Sequence, residues 1–220
     1  MTKSGHLDMV LSNDEPEPKL VLLNDGKGNF TVGRTYGDPK WSTRNSAVGD
    51  LNGDGYPDIA VAIRGLTSYV GMNDGNLPFD CRPLPDSPSA ATVAIAGIDG
   101  DGANDVIYAC WDECQSAVHF NDGKGNFTRK EPWGPPKSST RVLVVADLNS
   151  DGHLDIAACH ENLGCFVYFN DGKGQFGEGI QFEKPAAVPY SMIAADLAVG
   201  TELRIFLPDE AVLNRRFEPG

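Results

Sequence analysis

The chain has 220 residues, 40% hydrophobic and 22% charged, with a formal net charge of −13. That size and balance allow a sizeable buried core, and the acidic excess argues against a nucleic-acid partner, which needs clustered Lys and Arg. No apolar run is long enough to span a bilayer, while 25 Gly and 15 Pro suit many tight turns.

In chain order, the first clear signal is the run Lys19-Leu20-Val21-Leu22-Leu23 leading into Asn24-Asp25-Gly26-Lys27-Gly28-Asn29-Phe30. Asn-Asp-Gly after an apolar run supplies the positive φ angles of a tight hairpin. Near-copies follow at Asn73–Phe79, Asn121–Phe127 and Asn170–Phe176, their first residues 49, 48 and 49 positions apart. A period near 50 residues predicts radial or solenoidal repetition. The repeats fall at approximately 1–37, 38–86, 87–135, 136–185 and 186–220 of a single domain. Phe30, Phe79, Phe127 and Phe176 are expected in the core between repeats.

A second element sits between the turns. Asp50-Leu51-Asn52-Gly53-Asp54-Gly55-Tyr56-Pro57-Asp58 and Asp147-Leu148-Asn149-Ser150-Asp151-Gly152-His153-Leu154-Asp155 carry oxygen donors at positions 1, 3, 5 and 9. Calcium takes six to eight oxygens at about 2.3–2.6 Å, and a glycine at position 6 turns the backbone so that the position-7 carbonyl can point inward. The expected ligands are Asp50, Asn52, Asp54, Asp58 and the Tyr56 carbonyl, then Asp147, Asn149, Asp151, Asp155 and the His153 carbonyl. An EF-hand begins the same way but needs Glu at position 12, where Val61 and Ala158 stand. The flanking runs Ala47-Val48 and Ile59–Ala62 lack helical length, so the loop joins two strands.

A third copy, Gly97–Asp105, offers Asp99, Asp101, Asp105 and the Ala103 carbonyl, but Gly97 replaces the first ligand and weaker binding is expected. Ser4–Asp8 reads as the second half of such a loop and Asp196-Leu197-Ala198 as a first half, with a further calcium conceivable at the terminal half-loop. Three bound calcium ions would bring the net charge to about −7.

These residues resemble the FG-GAP or VCBS repeat family, whose members build integrin-α-like, calcium-binding β-propellers, and the resemblance covers nearly the whole chain. It implies an all-β propeller of four-stranded antiparallel blades with the calcium loop between the first and second strands. In the second repeat the strands are expected near Ser46–Asp50, Asp58–Ile63, Tyr69–Asn73 and Phe79–Leu84. Four or five blades are expected. The ring closes by complementation, with Ser191–Asp196 completing the blade begun at Leu7, or by self-association, or the chain is a piece of a longer propeller. The run Glu202–Asp209 favours a degenerate fifth blade. No secretory signal is read before Thr2, and the resemblance implies an extracellular or cell-surface place.

Five Cys are an odd number, so at least one is free or pairs outside the chain. Cys110/Cys114 and Cys159/Cys165 each span a connection from second to third strand, and either local disulfides or buried thiols fit. Zinc sites using Cys110, Cys114 and His119, or Cys159, His160 and Cys165, match no usual framework.

A meander places the acidic loops and Asn-Asp-Gly turns on one rim. The opposite rim is expected to collect Trp41, Arg44, Trp111, Trp133, Arg141, His160, Glu161 and Tyr190. Aromatic rings with convergent polar groups on a rigid scaffold suit a carbohydrate or protein ligand, although Trp41 and Trp133 also suit capping of the gaps between blades. The four histidines belong to different repeats, and no nucleophile elbow, metalloprotease motif or phosphate loop is present. The expectation is therefore a non-enzymatic recognition or adhesion module, lectin-like or protein-binding, with structural calcium. A propeller enzyme with a loop-built active site is the alternative.

Overall fold

The computed structural model describes residues 3–76, 78–184, 189–196 and 203–206. Every regular element among them is a β-strand, and within each sheet strands consecutive in sequence pair antiparallel. Short apolar runs closed every few residues by Gly-bearing turns dictate this, because no described run keeps a helical period long enough to bury one stripe.

The first sheet has three strands, β1 (Met9–Leu11), β2 (Lys19–Asn24) and β3 (Phe30–Tyr36). The second has β4 (Thr43–Gly49), β5 (Asp58–Ile63), β6 (Thr67–Met72) and β7 (Asp80–Pro88). The third has β8 (Ala90–Ala96), β9 (Asp105–Cys110), β10 (Cys114–Asn121) and β11 (Phe127–Ser138). The fourth has β12 (Thr140–Ala146), β13 (Asp155–His160), β14 (Gly164–Tyr168) and β15 (Ile180–Glu183), and a final pair joins β16 (Ile193–Asp196) to β17 (Leu203–Phe206).

These sheets are blades 1 to 4 and the start of a fifth. In blades 2 to 4 the acidic loop joins first to second strand, as expected, and the Asn-Asp-Gly turn follows the third. The expected second strand Asp58–Ile63 is β5 itself, while β4 and β6 begin earlier than expected and β7 runs on to Pro88. β11 is twelve residues long, so Trp133 lies inside a strand opposite Ser116 and not in a connection.

The core is distributed over the junctions between blades, because successive side chains of a strand point to opposite faces and each blade must bury both. Val21 and Tyr36 meet Ile59, Val61, Ile63 and Phe79 between blades 1 and 2. Ala60, Val70 and Leu84 meet Val93, Val106 and Tyr108 between blades 2 and 3. Ile107, Val118 and Trp133 meet Leu143, Ile156 and Tyr168 between blades 3 and 4. Val142, Ala157, Val167 and Phe182 meet Met192 beside β16. Phe79, Phe127 and Phe176 pack at these junctions, but Phe30 is exposed.

Among the described residues the sheets do not close into a ring. β16 pairs with β17, and neither pairs with β1, so the expected completion of the first blade by Ser191–Asp196 is not formed. Cys110–Cys114 and Cys159–Cys165 are disulfides, the second joining residues directly opposite on β13 and β14, and Cys81 is a free thiol.

Candidate functional site

The acidic loops of blades 2 and 4 are each wound around their first aspartate. Asp50 Oδ1 accepts the N–H of Asn52 and Gly53 at 3.2 and 2.8 Å, and its Oδ2 accepts Gly55 N–H at 2.8 Å. Asn52 Oδ1 takes Asp54 N–H at 3.0 Å, and Asp54 Oδ1 takes Tyr56 N–H at 2.7 Å. The fourth blade repeats the pattern with Asp147 accepting from Asp151 and Gly152, Asn149 from Asp151, and Asp151 from His153. Because backbone N–H groups point at these oxygens, the Asp151 carboxyl is held below its ordinary pKa, chiefly by His153 N–H.

The ninth position does something more than the sequence suggests. Asp58 is fully buried, and its two oxygens accept Leu51 N–H and Asn73 N–H, both at 2.7 Å. Asp105 brackets Ile98 and Asn121, Asp155 brackets Leu148 and Asn170, and Asp8 accepts Asn24 N–H. This carboxylate ties the start of the acidic loop to the following Asn-Asp-Gly turn. Burial pushes all three of Asp58, Asp105 and Asp155 up, Asp105 to about 6, against the pull of those N–H bonds.

Among the described residues no group of three or more His, Cys, Asp or Glu side chains is gathered as a metal cluster. The donors within each loop are nonetheless all oxygen, from carboxylate, amide and main chain, which is the chemistry of a hard cation. At Gly97 an added Cβ would stand 3.0 Å from the Ala103 carbonyl oxygen, so the seventh carbonyl is aimed at the first position. The residues therefore fit calcium. The third loop fits less well, because Gly97 brings no ligand and Arg129 donates to Asp99 Oδ2 at 2.9 Å, placing a positive charge on the third position.

On the opposite rim the structure selects among the expected residues. Trp41 is buried against Tyr69, ring centroids 4.4 Å apart, and lines a cleft of about 610 Å³ between blades 1 and 2. Trp133 is buried and lines a cleft of about 430 Å³ between blades 3 and 4, its Nε1 without a partner. His160 is buried between Thr140 and the Tyr168 hydroxyl, at 2.9 and 2.7 Å. These three belong to the junctions and not to the exposed rim, since their rings fill gaps that the blade-to-blade spacing leaves.

What remains on the face is a cationic and aromatic cluster. Arg141 Cζ lies 3.9 Å from the Trp111 ring centroid and 5.5 Å from that of Tyr190, which is exposed, and its Nε donates to Glu161. Arg64 Cζ approaches the same Trp111 ring at 5.1 Å. Arg44 pairs with Asp14 at 3.4 Å.

Backbone geometry explains the placement. The first and second strands slip register between Thr43 and Asn45 and between Thr140 and Val142, so Arg44 and Arg141 are bulge residues aimed off the ladder. Arg64, Trp111 and Glu161 occupy one repeated position, each N–H donating to the carbonyl of Ser42, Ser89 or Ser139. Sequence reasoning missed Arg64 and Asp14. Their signal was the offset of six residues after Asp58 and Asp8 that Trp111 and Glu161 show after Asp105 and Asp155.

No curated protein matches the chain. A sequence model of the FG-GAP-like repeat matches residues 1–61 and 97–158, more than half of the chain, the first stretch containing the acidic loop Asp50–Asp58 and the second the loops Gly97–Asp105 and Asp147–Asp155. The chain belongs to the FG-GAP-like repeat family.

Proposed function

We propose that this chain is an extracellular recognition module, a propeller braced by calcium on one rim and binding a protein ligand through Trp111, Arg141, Arg64 and Tyr190 on the other. The observation that carries the reading is the stack of Arg141 on Trp111 at 3.9 Å, with Arg64 on the same ring and exposed Tyr190 beside it. Trp, Tyr and Arg are the side chains that dominate protein interfaces, because each combines large contact area with a directed polar group. A carbohydrate ligand is the second form of this reading. It is less favoured because Trp41 and Trp133 are buried and a sugar stacking on Trp111 must compete with two guanidinium groups.

The acidic loops act at a distance from that face. Calcium, when bound, supplies positive charge among oxygens that otherwise repel. Asp50, Asn52, Asp54 and Asp58, and the equivalent Asp147, Asn149, Asp151 and Asp155, would hold it, with Asp99, Asp101 and Asp105 a weaker set. The residues themselves fix the first strand to the second and the loop to the next turn, which keeps the far ends of the same strands in place. Two local disulfides and loops suited to millimolar calcium support a place outside the cell.

The test is a glycan array and a cell-surface protein screen run with parent protein and with Trp111→Ala and Arg141→Ala. The expected result is a blank array and a protein ligand whose affinity falls at least about tenfold in either variant, as for a hot-spot residue, with the melting temperature unchanged. Binding that free sugar inhibits would replace the protein reading by a lectin-like one.

A further inference from the structure

One face of blade 1 is built for burial and is not buried. In blades 2 to 4 the first and third residues after the bracketing aspartate are Ile59 and Val61, Val106 and Tyr108, Ile156 and Ala158, all 0–2% exposed because they face the preceding blade. The same positions in blade 1 are Met9 and Leu11, 41% and 38% exposed. Register places Leu22 opposite Met9, Val32 opposite Leu22 and Leu20 opposite Leu11, so all five side chains share one sheet face. Val32 is 64% exposed, and Leu7, two residues before Met9, is 86% exposed where its equivalent Leu154 packs into the junction of blades 3 and 4.

The other end of the chain shows the matching half. Ala47, Ala94 and Val144 stand three residues before the first position of an acidic loop, and each packs into the junction with the following blade. Ile193 stands three residues before Asp196 and is 58% exposed. Among the described residues, the junction formed repeatedly inside the chain is thus presented in two exposed halves, one on blade 1 and one at Ile193. Within one chain these halves stay apart among the described residues, since Met9, Leu11 and Ile193 all keep more than a third of their surface exposed.

We propose that the open face of blade 1, around Leu7, Met9, Leu11 and Val32, packs on the Ile193 end of a second copy of this chain, head to tail. Such a contact is heterologous, so two copies close a ring if the rotation permits and a longer array forms if it does not. The second copy fits because its exposed Ile193 stands on the blade half that this face meets at every internal junction. Face-to-face packing of two first blades would bury apolar area without reproducing that pairing.

Sedimentation velocity over a hundredfold concentration range tests this on the full chain. The parent is expected to run as a dimer or larger species, and Leu11→Asp and Ile193→Asp each to run as monomers. An equimolar mixture of the two variants retains one intact head and one intact tail, and is expected to give a 1:1 dimer that grows no further. A parent that stays monomeric throughout overturns the proposal. So does an Ile193→Asp variant that still dimerises, which would mean face-to-face packing. Leu7→Asp, at the most exposed of these positions, repeats the head test should Leu11→Asp unfold, with near-ultraviolet circular dichroism as the check on folding.

Discussion

The side-chain amide of Asn121 donates to the carbonyl of Leu51, 70 residues earlier, at 2.6 Å, and to the carbonyl of Asn104 at 2.8 Å. Its Oδ1 accepts Gly125 N–H at 3.0 Å. One amide therefore closes its own hairpin, holds the acidic loop of its own blade and grips the acidic loop of the blade before. Asn170 repeats all three with Ile98, Leu154 and Gly174. The turn chemistry that sets the period of the chain is also a clasp between blades.

Replacing Asn121 by Ala removes three hydrogen bonds at a buried site and leaves the Leu51 carbonyl without this donor. The expected cost is about 2–3 kcal/mol in urea unfolding. Asn126→Ala, which loses an exposed bond to Asp122, is expected to cost under about 1 kcal/mol. Equal losses at the two positions would mean that the clasp adds nothing beyond the turn.

Much of this architecture is legible in the sequence because its signals are local. Gly at φ +79°, +82°, +73° and +79° in the four turns explains why Asn-Asp-Gly recurs, and the oxygen spacing of Asp50–Asp58 marks a strand-to-strand loop. What the sequence hides is set by neighbours in space. Trp133 looks like a loop residue until β11 is seen to run twelve residues, and the burial of Trp41 depends on Tyr69 of the next blade. Asp58 looks like a ligand only, because its bonds to Leu51 and Asn73 span 7 and 15 residues in the chain. Arg64 shares with Trp111 and Glu161 only an offset after an aspartate and not a residue type, and its place in the cluster shows when Trp111 is folded beside it.

Calcium should stabilise the parent protein by linkage, about 2.7 kcal/mol for each site filled at a hundred times its Kd. Thermal melts in millimolar calcium and in chelator are expected to differ by several degrees. Asp151→Ala is expected to lower the calcium melt far more than the chelator melt. Asp101→Ala, in the loop that lacks a first ligand and holds Arg129 on Asp99, should narrow that gap less. Coincident melts of the parent in the two buffers would remove calcium from the proposal.

His160 gives the fold an acid limit. Its Nδ1 lies 2.9 Å from Thr140 Oγ1 and its Nε2 2.7 Å from the Tyr168 hydroxyl, with Trp133 and Phe166 around it. Burial lowers its pKa to about 4. The unfolded histidine binds a proton near pH 6.5 and the folded one only near pH 4, so stability is complete above pH 6.5 and is lost as pH falls through that window, by about 3 kcal/mol at most. His119 shifts the same way, through burial first and then Lys130, with Asp86 opposing. Urea unfolding at pH 7.5 and 5.0 should show the loss, and His160→Gln should show a smaller one. An unchanged pH difference in the variant would assign the acid sensitivity to other groups.

Trp111 sits inside the short loop closed by Cys110–Cys114, and its N–H donates to Ser89 O at 2.8 Å. With Trp41 and Trp133 buried, it is the tryptophan that an added quencher reaches. Acrylamide quenching of the parent should therefore be lost mostly with Trp111→Phe, which identifies the signal. Replacing both Cys110 and Cys114 by Ala frees a loop whose closure is worth about 2 kcal/mol by chain entropy. Trp111 then loses its fixed place under Arg141 and Arg64, and the quenching constant is expected to rise about twofold, as for a side chain gaining exposure. Cys81→Ser, which alters a thiol in the cleft between blades 1 and 2, should leave it unchanged. If the double alanine variant quenches like the parent, the stack of two guanidinium groups holds Trp111 without help from the disulfide, and this cluster is pre-organised by cation–π contacts alone.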